Sequence, residues 1–304
     1  GQSHVTAPLR QALSNGRISH AYLFSGPRGC GKTSSARILA RSLNCEQGPT
    51  STPCGTCGSC VALAPDGPGS LDVIEIDAAS HGGVDDARDL RERAFFAPVA
   101  SRFKVYVIDE VHMLSKSAFN ALLKTLEEPP PNVEFIMATT ELHKVPDTIL
   151  SRCQQFEFRT IATAKILERL RLISDAENIS IPDDALREIA RSGEGSMRDA
   201  QSALDQVISF AGTKIKKKDV ELALGVAGAD ILIRVVKGIA EHQPAEALAV
   251  VDDVVMRGHD LRNFCRDLLA HFRDLLVTKV SASEELLESA ICDRAELKRQ
   301  AELF

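Results

Sequence analysis

A glycine-rich stretch of eight residues, Gly26 to Thr33, has the spacing G-x-x-x-x-G-K-[ST] of a phosphate-binding loop. Glycines let the backbone bend so that several N–H groups point at one polyphosphate. Lys32 adds a positive charge for the outer phosphates, and Thr33 offers a hydroxyl to Mg²⁺. The stretch therefore predicts a nucleoside triphosphate site formed by Gly26, Pro27, Arg28, Gly29, Cys30, Gly31, Lys32, Thr33 and Ser34.

The surroundings of the loop also match the motif. A short apolar run over residues 21–24 precedes the loop, and a helix is predicted from Lys32 to about Leu43. The positive dipole end of that helix would face the same anion. Because the expected strand and helix are both present, the alternative of an incidental glycine-rich turn is disfavoured.

Two carboxylates, Asp109 and Glu110, directly follow the apolar run 105–108. An apolar run without alternation is typical of a central strand that is buried on both faces. In a phosphate-loop enzyme the first carboxylate holds Mg²⁺, directly or through water, and the second polarises the attacking water as a general base. Both lie where open α/β sheets bind ligands, at the carboxyl end of a strand. The alternative is a strand end with solvated acids, which the loop at 26–33 disfavours.

Four of the eight cysteines lie within residues 45–60 and have the spacing C-x8-C-x2-C-x2-C. The x2 spacings are typical of turns that place neighbouring thiolates on one tetrahedral Zn²⁺. Because four thiolates leave no open position on the metal, the pattern predicts a structural site rather than a catalytic one. Disulfides are disfavoured, because a chain of this length without a secretory signal does not need them and the cytosol would reduce them. The predicted zinc ligands are Cys45, Cys54, Cys57 and Cys60.

Composition limits the classes of partner. The formal net charge is −6, so the chain is not strongly basic overall. We therefore expect that any DNA contact uses a local basic surface or the help of partner subunits. With no Trp and 2 Tyr, stacking of bases on aromatic side chains is disfavoured. No apolar run is long enough to span a bilayer, and the polar N-terminus lacks a secretory signal. We therefore expect a cytoplasmic protein that does not contact a membrane.

Short apolar runs alternate with helical patterns up to residue 158, which predicts an α/β fold with a parallel sheet. The predicted strands are 21–24, 73–76, 105–108, 135–138 and 155–158. Helices are expected over 160–178, 183–191, 196–210, 229–241, 244–257, 260–280 and 283–302. We expect three domains: a nucleotide-binding domain over 1–158 with the cysteine insertion at 45–60, a small helical lid over 159–224 and a C-terminal helical domain over 225–304.

Weaker signals mark three further positions. Thr140, or its neighbour Thr139, closes a strand expected beside the Asp109 strand, where a hydroxyl can contact the γ-phosphate or the attacking water. Arg152 follows a short helix and can act in trans on a neighbouring subunit's nucleotide, although a surface ion pair is the simpler interpretation. Arg198 begins a lid helix and can reach the phosphates, although a solvated helix face is the simpler interpretation.

Four segments, taken in this order, resemble one family. They are His20–Gly26, the cysteine cluster soon after the phosphate loop, Phe119–Pro130 and Ser151–Cys153. The chain resembles the gamma/tau subunits of bacterial DNA polymerase III, the clamp-loader ATPases of the AAA+ class. The resemblance is close over residues 1–224 and looser over the remaining helices. It implies an AAA+ P-loop core followed by a helical lid and an all-α collar.

The resemblance also implies cofactors, roles and partners. The cofactors are ATP, Mg²⁺ and Zn²⁺. Thr140 looks like sensor 1, Arg152 looks like an arginine finger that acts in trans, and Arg198 looks like sensor 2. With these three, the implied catalytic residues are Lys32, Asp109 and Glu110. The partners are other clamp-loader subunits in a hetero-oligomeric ring, the sliding clamp, primed DNA and the DNA polymerase III core, which would carry the nucleotidyl-transfer chemistry. ATP binding would open the clamp and grip the DNA, and hydrolysis would release both.

The chain departs from the family at its two ends. The family carries an Arg- and Pro-rich segment ahead of the stretch matching Gly1-Gln2, which helps to hold the adenine, and this sequence begins after it. At Phe304 a predicted helix is still running. Both features lead us to expect an excised fragment.

Two other functions compete with the clamp-loading ATPase. A scaffold subunit that binds ATP without hydrolysing it does not need Lys32, Thr33, Asp109 and Glu110 together, so these residues count against it. Another AAA+ DNA-remodelling motor, such as a branch-migration motor, is disfavoured by the four-cysteine insertion.

Overall fold

The computed structural model describes residues 1–81, 83, 90, 92, 96–225, 228–256, 260–280, 287, 292 and 294–304. It divides the chain into two compact units, Gly1–Thr160 and Ile161–Phe304. The domain boundary that we predict at residue 224 falls inside the second unit and stays a prediction.

The first unit contains a five-stranded parallel sheet, as the alternating pattern predicts. Its strands are β1 (Ala21–Ser25), β2 (Val73–Asp77), β3 (Lys104–Asp109), β4 (Val133–Thr139) and β5 (Gln154–Glu157). They lie in the order β2-β3-β4-β1-β5, so β4 separates β1 from β3. Each strand overlaps one of the predicted apolar runs, and the parallel sheet is confirmed.

Strand β4 begins two residues before the predicted run and includes Glu134, whose side chain is buried. Burial raises the pKa of Glu134 to about 8, so its carboxyl group is mostly protonated at neutral pH. A neutral acid costs far less to bury than a carboxylate, which lets the strand continue through this position.

Helices cover both faces of the sheet. They are α1 (Ser3–Ser14), α2 (Lys32–Asn44), α3 (Gly58–Ala62), α4 (Lys116–Glu127) and α5 (Asp147–Leu150). Helices α1 and α2 pack in one apolar cluster with Tyr22 and Phe24, whereas α4 packs in another with Ala21 and Leu23. Alternate residues of β1 therefore enter two cores, which explains why residues 21–24 are apolar and the whole strand is buried.

The second unit is helical throughout its described residues, apart from turns and one isolated bridge. Its helices are α6 (Thr163–Ala176), α7 (Asp183–Ser192), α8 (Met197–Ala211), α9 (Lys217–Leu224), α10 (Ala229–Ala240), α11 (Pro244–Met256), α12 (Leu261–Val280) and α13 (Arg294–Ala301). The predicted helix over 283–302 is seen from Arg294, and the greater part of its first eleven residues lies outside the described residues. Within the described part of the chain, no helix is both long and apolar enough to cross a membrane.

One buried carboxylate holds the loop that precedes β3. Asp72 is 1% exposed, and its two carboxylate oxygens accept hydrogen bonds from the backbone N–H groups of Val99, Ala100 and Ser101, at 2.7, 2.9 and 2.7 Å. Burial by itself raises the pKa of Asp72, but these donors outweigh it and hold the pKa below its usual value. The ionised carboxylate therefore stabilises the folded state.

We expect Asp72→Asn to lower the free energy of unfolding by about 1–3 kcal/mol at pH 7, because an amide cannot accept three charge-assisted bonds. The folded pKa lies below the unfolded one, so the contribution is complete above the usual value of 3.8 and is lost as pH falls through the folded pKa. Denaturant unfolding at neutral and acidic pH measures the difference in free energy of unfolding between variant and wild type. This difference should become smaller in acid. The exposed Asp66→Asn is the control, and an unchanged stability of Asp72→Asn at pH 7 would contradict the prediction.

Candidate nucleotide site and cysteine cluster

The phosphate-loop sequence connects β1 to α2 at the carboxyl edge of the sheet. Its backbone takes positive φ angles at Gly26 (138°), Gly29 (69°) and Gly31 (99°), which are conformations that only glycine adopts without strain. The N–H of Gly26 donates to the carbonyl of Thr139 at 3.2 Å. The N–H of Phe158 donates to the carbonyl of Ser25 at 2.7 Å. The loop thus begins between the ends of β4 and β5.

Gly26 also has a steric requirement. A Cβ atom at this position would stand 2.2 Å from the carbonyl oxygen of Phe158. Because that neighbour is backbone at the end of β5, it has little freedom to move aside. Gly26 therefore permits the close approach of the loop to the sheet.

The side chains of Lys32 and Thr33 make contacts that suit a triphosphate site. The buried ammonium of Lys32 donates to the carbonyls of Gly26 and Pro27 at 2.9 and 2.8 Å, neither of which carries a net charge. A buried cation held by uncharged acceptors fits an anionic ligand. The hydroxyl of Thr33 donates to Asp109 Oδ2 at 2.6 Å. A hydroxyl beside a carboxylate is the type of oxygen donor set that Mg²⁺ binds together with phosphate.

Glu110 is held by the residue that directly follows the neighbouring strand. Its backbone has φ 47°, in the left-handed region, and its carboxylate Oε2 accepts from the hydroxyl of Thr140 at 2.9 Å and from the Thr140 N–H at 3.2 Å. A non-glycine residue in that region is uncommon and is found at functional sites. Thr140, rather than Thr139, is thus the threonine that contacts the predicted general base.

Thr139 and His112 form a second layer behind Glu110. Thr139 is fully buried, and its hydroxyl accepts from the N–H of Glu141 at 3.0 Å and lies 2.9 Å from His112 Nδ1. The same nitrogen lies 3.4 Å from Glu110 Oε2. His112 is not predicted from the sequence, where its one signal is its position two residues after Glu110.

The two arginines lie in different units of the chain. Arg152 follows α5 and contacts Thr148, Ser151 and Glu127, with its Nη2 atom 2.5 Å from Glu127 Oε1. Arg198 is exposed near the start of α8, in the second unit. The structure therefore brings together Lys32, Thr33, Asp109, Glu110 and Thr140, and the roles of Arg152 and Arg198 stay predictions.

The four clustered cysteines meet in space. Cys45 directly follows α2, Cys60 lies within the short α3, and the four Sγ atoms all lie within 4.8 Å of one another. The Sγ atoms of Cys54 and Cys60 are 3.9 Å apart. Zn–S bonds of about 2.3 Å in a tetrahedron place sulfurs roughly 3.8 Å apart, so the cluster fits a zinc ion.

The thiols of this cluster have unequal acidities. Hydrogen bonds from the backbone N–H groups of Thr56 and Cys57 lower the pKa of Cys54 to about 6. Burial raises the pKa of Cys60 to about 11. Burying several thiols without a cation favours their neutral forms, so the donor set becomes fully ionised only where a positive charge joins it.

Three family models match the chain, one after another. The model described as DNA polymerase III, delta subunit, matches residues 1–162. The model of the DNA polymerase III clamp loader subunit, ATPase lid domain, matches 165–213, and that of the DNA polymerase III subunits gamma and tau domain III matches 215–303.

Relatives match over the same span. The DNA polymerase III subunit gamma/tau of Mycobacterium tuberculosis (strain ATCC 25618 / H37Rv) is 49% identical over 319 residues, which covers 100% of this chain and 55% of the relative. The DNA polymerase III subunit tau of Bacillus subtilis (strain 168) is 46% identical over 295 residues, covering 96% and 52%. The chain thus spans about half the length of these curated relatives.

Among solved structures, the Thermotoga maritima RuvB Holliday junction branch migration motor superposes with a TM-score of 0.57. The two chains are 19% identical, and the match covers 82% of each. This likeness concerns the fold alone, and together with the lid and domain III models it confirms the predicted parallel-sheet core followed by helical domains.

We expect Gly26→Ala to lower the free energy of unfolding by about 3 kcal/mol and to weaken ATP binding, because the new methyl group would clash with Phe158. Thermal unfolding and a fluorescent-nucleotide titration measure the two effects. Gly16→Ala is the matched control, since φ there is also positive, at 65°, but no atom lies within 4 Å of the added Cβ. Its cost should be backbone strain alone, about 1 kcal/mol. Equal effects of the two substitutions would refute the steric role of Gly26.

Proposed function

The chain belongs to the gamma/tau family of DNA polymerase III subunits, and we propose on that basis that it is an ATP-hydrolysing subunit of a bacterial clamp loader. One observation carries the enzymatic part of this proposal. The hydroxyl of Thr33 on the phosphate loop lies 2.6 Å from Asp109 at the end of β3, with Glu110 and Thr140 beside them. This contact supports the proposal, because a phosphate-transfer site needs the loop and the carboxylates at one edge of the sheet.

The proposed mechanism assigns one task to each of these groups. The loop N–H groups and Lys32 bind the β- and γ-phosphates, and Thr33 with Asp109 would hold Mg²⁺. When bound, Mg²⁺ would neutralise charge on the phosphate oxygens. Glu110 orients a water molecule and takes its proton as the water oxygen bonds to the γ-phosphorus and the bond to the bridging oxygen breaks. Thr140 fixes the direction of the Glu110 carboxylate through the contacts at 2.9 and 3.2 Å.

The proposed partners are other clamp-loader subunits, the sliding clamp, primed DNA and the polymerase III core, in the cytoplasm. Family membership supports a multi-subunit assembly. Helix α12 adds support, because Leu269, Leu276 and Val280 are exposed at spacings of seven and four residues, which place them along one side of the helix. In such an assembly Arg152 would act on the nucleotide of a neighbouring subunit, and Arg198 on that of its own.

We also propose that Cys45, Cys54, Cys57 and Cys60 bind one structural Zn²⁺. The four sulfurs lie close enough for one tetrahedral ion, and a complete set of thiolates leaves no coordination position for a substrate. The ion would fix the segment after α2, which has little regular structure besides the short α3.

We expect Lys32→Ala to reduce ATP hydrolysis by the reconstituted complex with clamp and primed DNA by roughly 10²–10³-fold, because it removes charge stabilisation at the transferred phosphate. The far-UV circular dichroism and melting temperature should change little, because within the described residues the ammonium bonds only to loop carbonyls. Lys165→Ala, which removes an exposed lysine from α6, is the control. Undiminished turnover of Lys32→Ala would refute the ATPase assignment.

We expect one zinc per chain by elemental analysis after dialysis. Cys60→Ser should reduce zinc content and lower the melting temperature, because Cys60 is fully buried within the cluster. Cys265→Ser, at an exposed cysteine of α12, should change neither quantity. A metal-free chain that keeps its fold and its melting temperature would contradict the proposal.

A further inference from the structure

We infer that Glu127 is a positioning residue for Arg152, holding the guanidinium ready to serve a neighbouring subunit. Glu127 is the last residue of α4, and Arg152 follows α5, 25 residues further along the chain. Their side chains meet at 2.5 Å between Arg152 Nη2 and Glu127 Oε1, a charge-assisted hydrogen bond. The inference rests on the proposed action of Arg152 in trans.

The position of Glu127 shows why it needs a cationic partner. The last turn of a helix carries partial negative charge, so a carboxylate there is disfavoured unless a cation offsets it. Arg152 is the cation that meets this carboxylate. Glu128 is the next residue and is also exposed, but the structure pairs the arginine with Glu127. The pair therefore joins the end of α4 to the segment that carries Arg152.

The contacts of Arg152 leave part of its guanidinium available to bind an anion. Nη1 donates to the carbonyl of Thr148 at 2.7 Å and lies 3.3 Å from the Ser151 hydroxyl, while Nη2 donates to Glu127. A guanidinium has N–H donors on three nitrogens, so Nε–H and the second Nη2 hydrogen are not used by these bonds. The side chain is also 32% exposed. Arg152 is thus held in one orientation while it keeps two donors for an incoming anion.

This arrangement predicts how Glu127 affects the reaction. A free arginine side chain samples many rotamers, and ordering it at a neighbour's phosphate costs conformational entropy. Glu127 reduces that cost by fixing the side chain before the subunits meet. Its removal should therefore slow hydrolysis in the assembled complex without weakening ATP binding. If the ion pair instead withheld Arg152 from the phosphate, its removal would speed hydrolysis.

The test uses the full-length subunit assembled with its partner subunits, sliding clamp and primed DNA. Glu127→Ala should lower kcat for ATP by about three- to tenfold with an unchanged nucleotide dissociation constant. Glu127→Gln should fall between the wild type and Glu127→Ala, because its amide oxygen still accepts from Nη2 without a charge. Glu128→Ala is the matched control and should leave kcat unchanged.

The double variant separates positioning from a structural effect. If Glu127 acts only through Arg152, the kcat of Glu127→Ala/Arg152→Ala equals that of Arg152→Ala alone, whereas independent effects would multiply. Thermal unfolding of each variant checks that the exposed substitutions leave the fold intact. A wild-type or raised kcat for Glu127→Ala beside a slow Arg152→Ala overturns the inference and leaves the proposed function standing. A wild-type kcat for Arg152→Ala overturns both the trans role and the inference, while loss of activity in Lys32→Ala would still support the ATPase.

Discussion

The hydrogen bond between Thr33 and Asp109 joins segments that lie 76 residues apart in the chain. It can form because all five strands run parallel, so the loop after β1 and the acid at the end of β3 reach the same edge of the sheet. Strand β4 lies between those two strands, and its end supplies Thr139 and Thr140. One strand order thus places the loop, the acids and the hydroxyls around a single centre.

Burial on both sheet faces makes that centre rigid. The residues of β1 alternate between two apolar clusters, so neither face is free to shift without disturbing a core. Where polar groups enter these cores, the protein satisfies or neutralises them in different ways. Asp72 stays ionised because three backbone N–H groups bind it, whereas Glu134 stays mostly protonated because burial raises its pKa to about 8.

Patterns in short stretches of the sequence predicted the strands and the cysteine cluster, which depend mainly on nearby residues. The apolar runs located the five strands, and the cysteine spacing identified groups that meet within 4.8 Å. Helix α1 was not predicted, although Val5, Leu9 and Leu13 follow helical spacing, because Pro8 interrupts the pattern. The predicted β4 began too late because an acid at position 134 argues against a buried strand. Contacts such as Arg152–Glu127 depend on tertiary packing, which spacing alone does not encode.

Gly26 lies against two strand ends at once, bonded to the Thr139 carbonyl at 3.2 Å and with no room for a methyl group beside Phe158. Phe158 stands two residues before Thr160, where the first unit ends. Gly26 therefore couples the phosphate loop tightly to the ends of β4 and β5. A displacement of the loop would therefore change both its hydrogen bond with Thr139 at the end of β4 and its packing against Phe158, where the chain leaves the sheet.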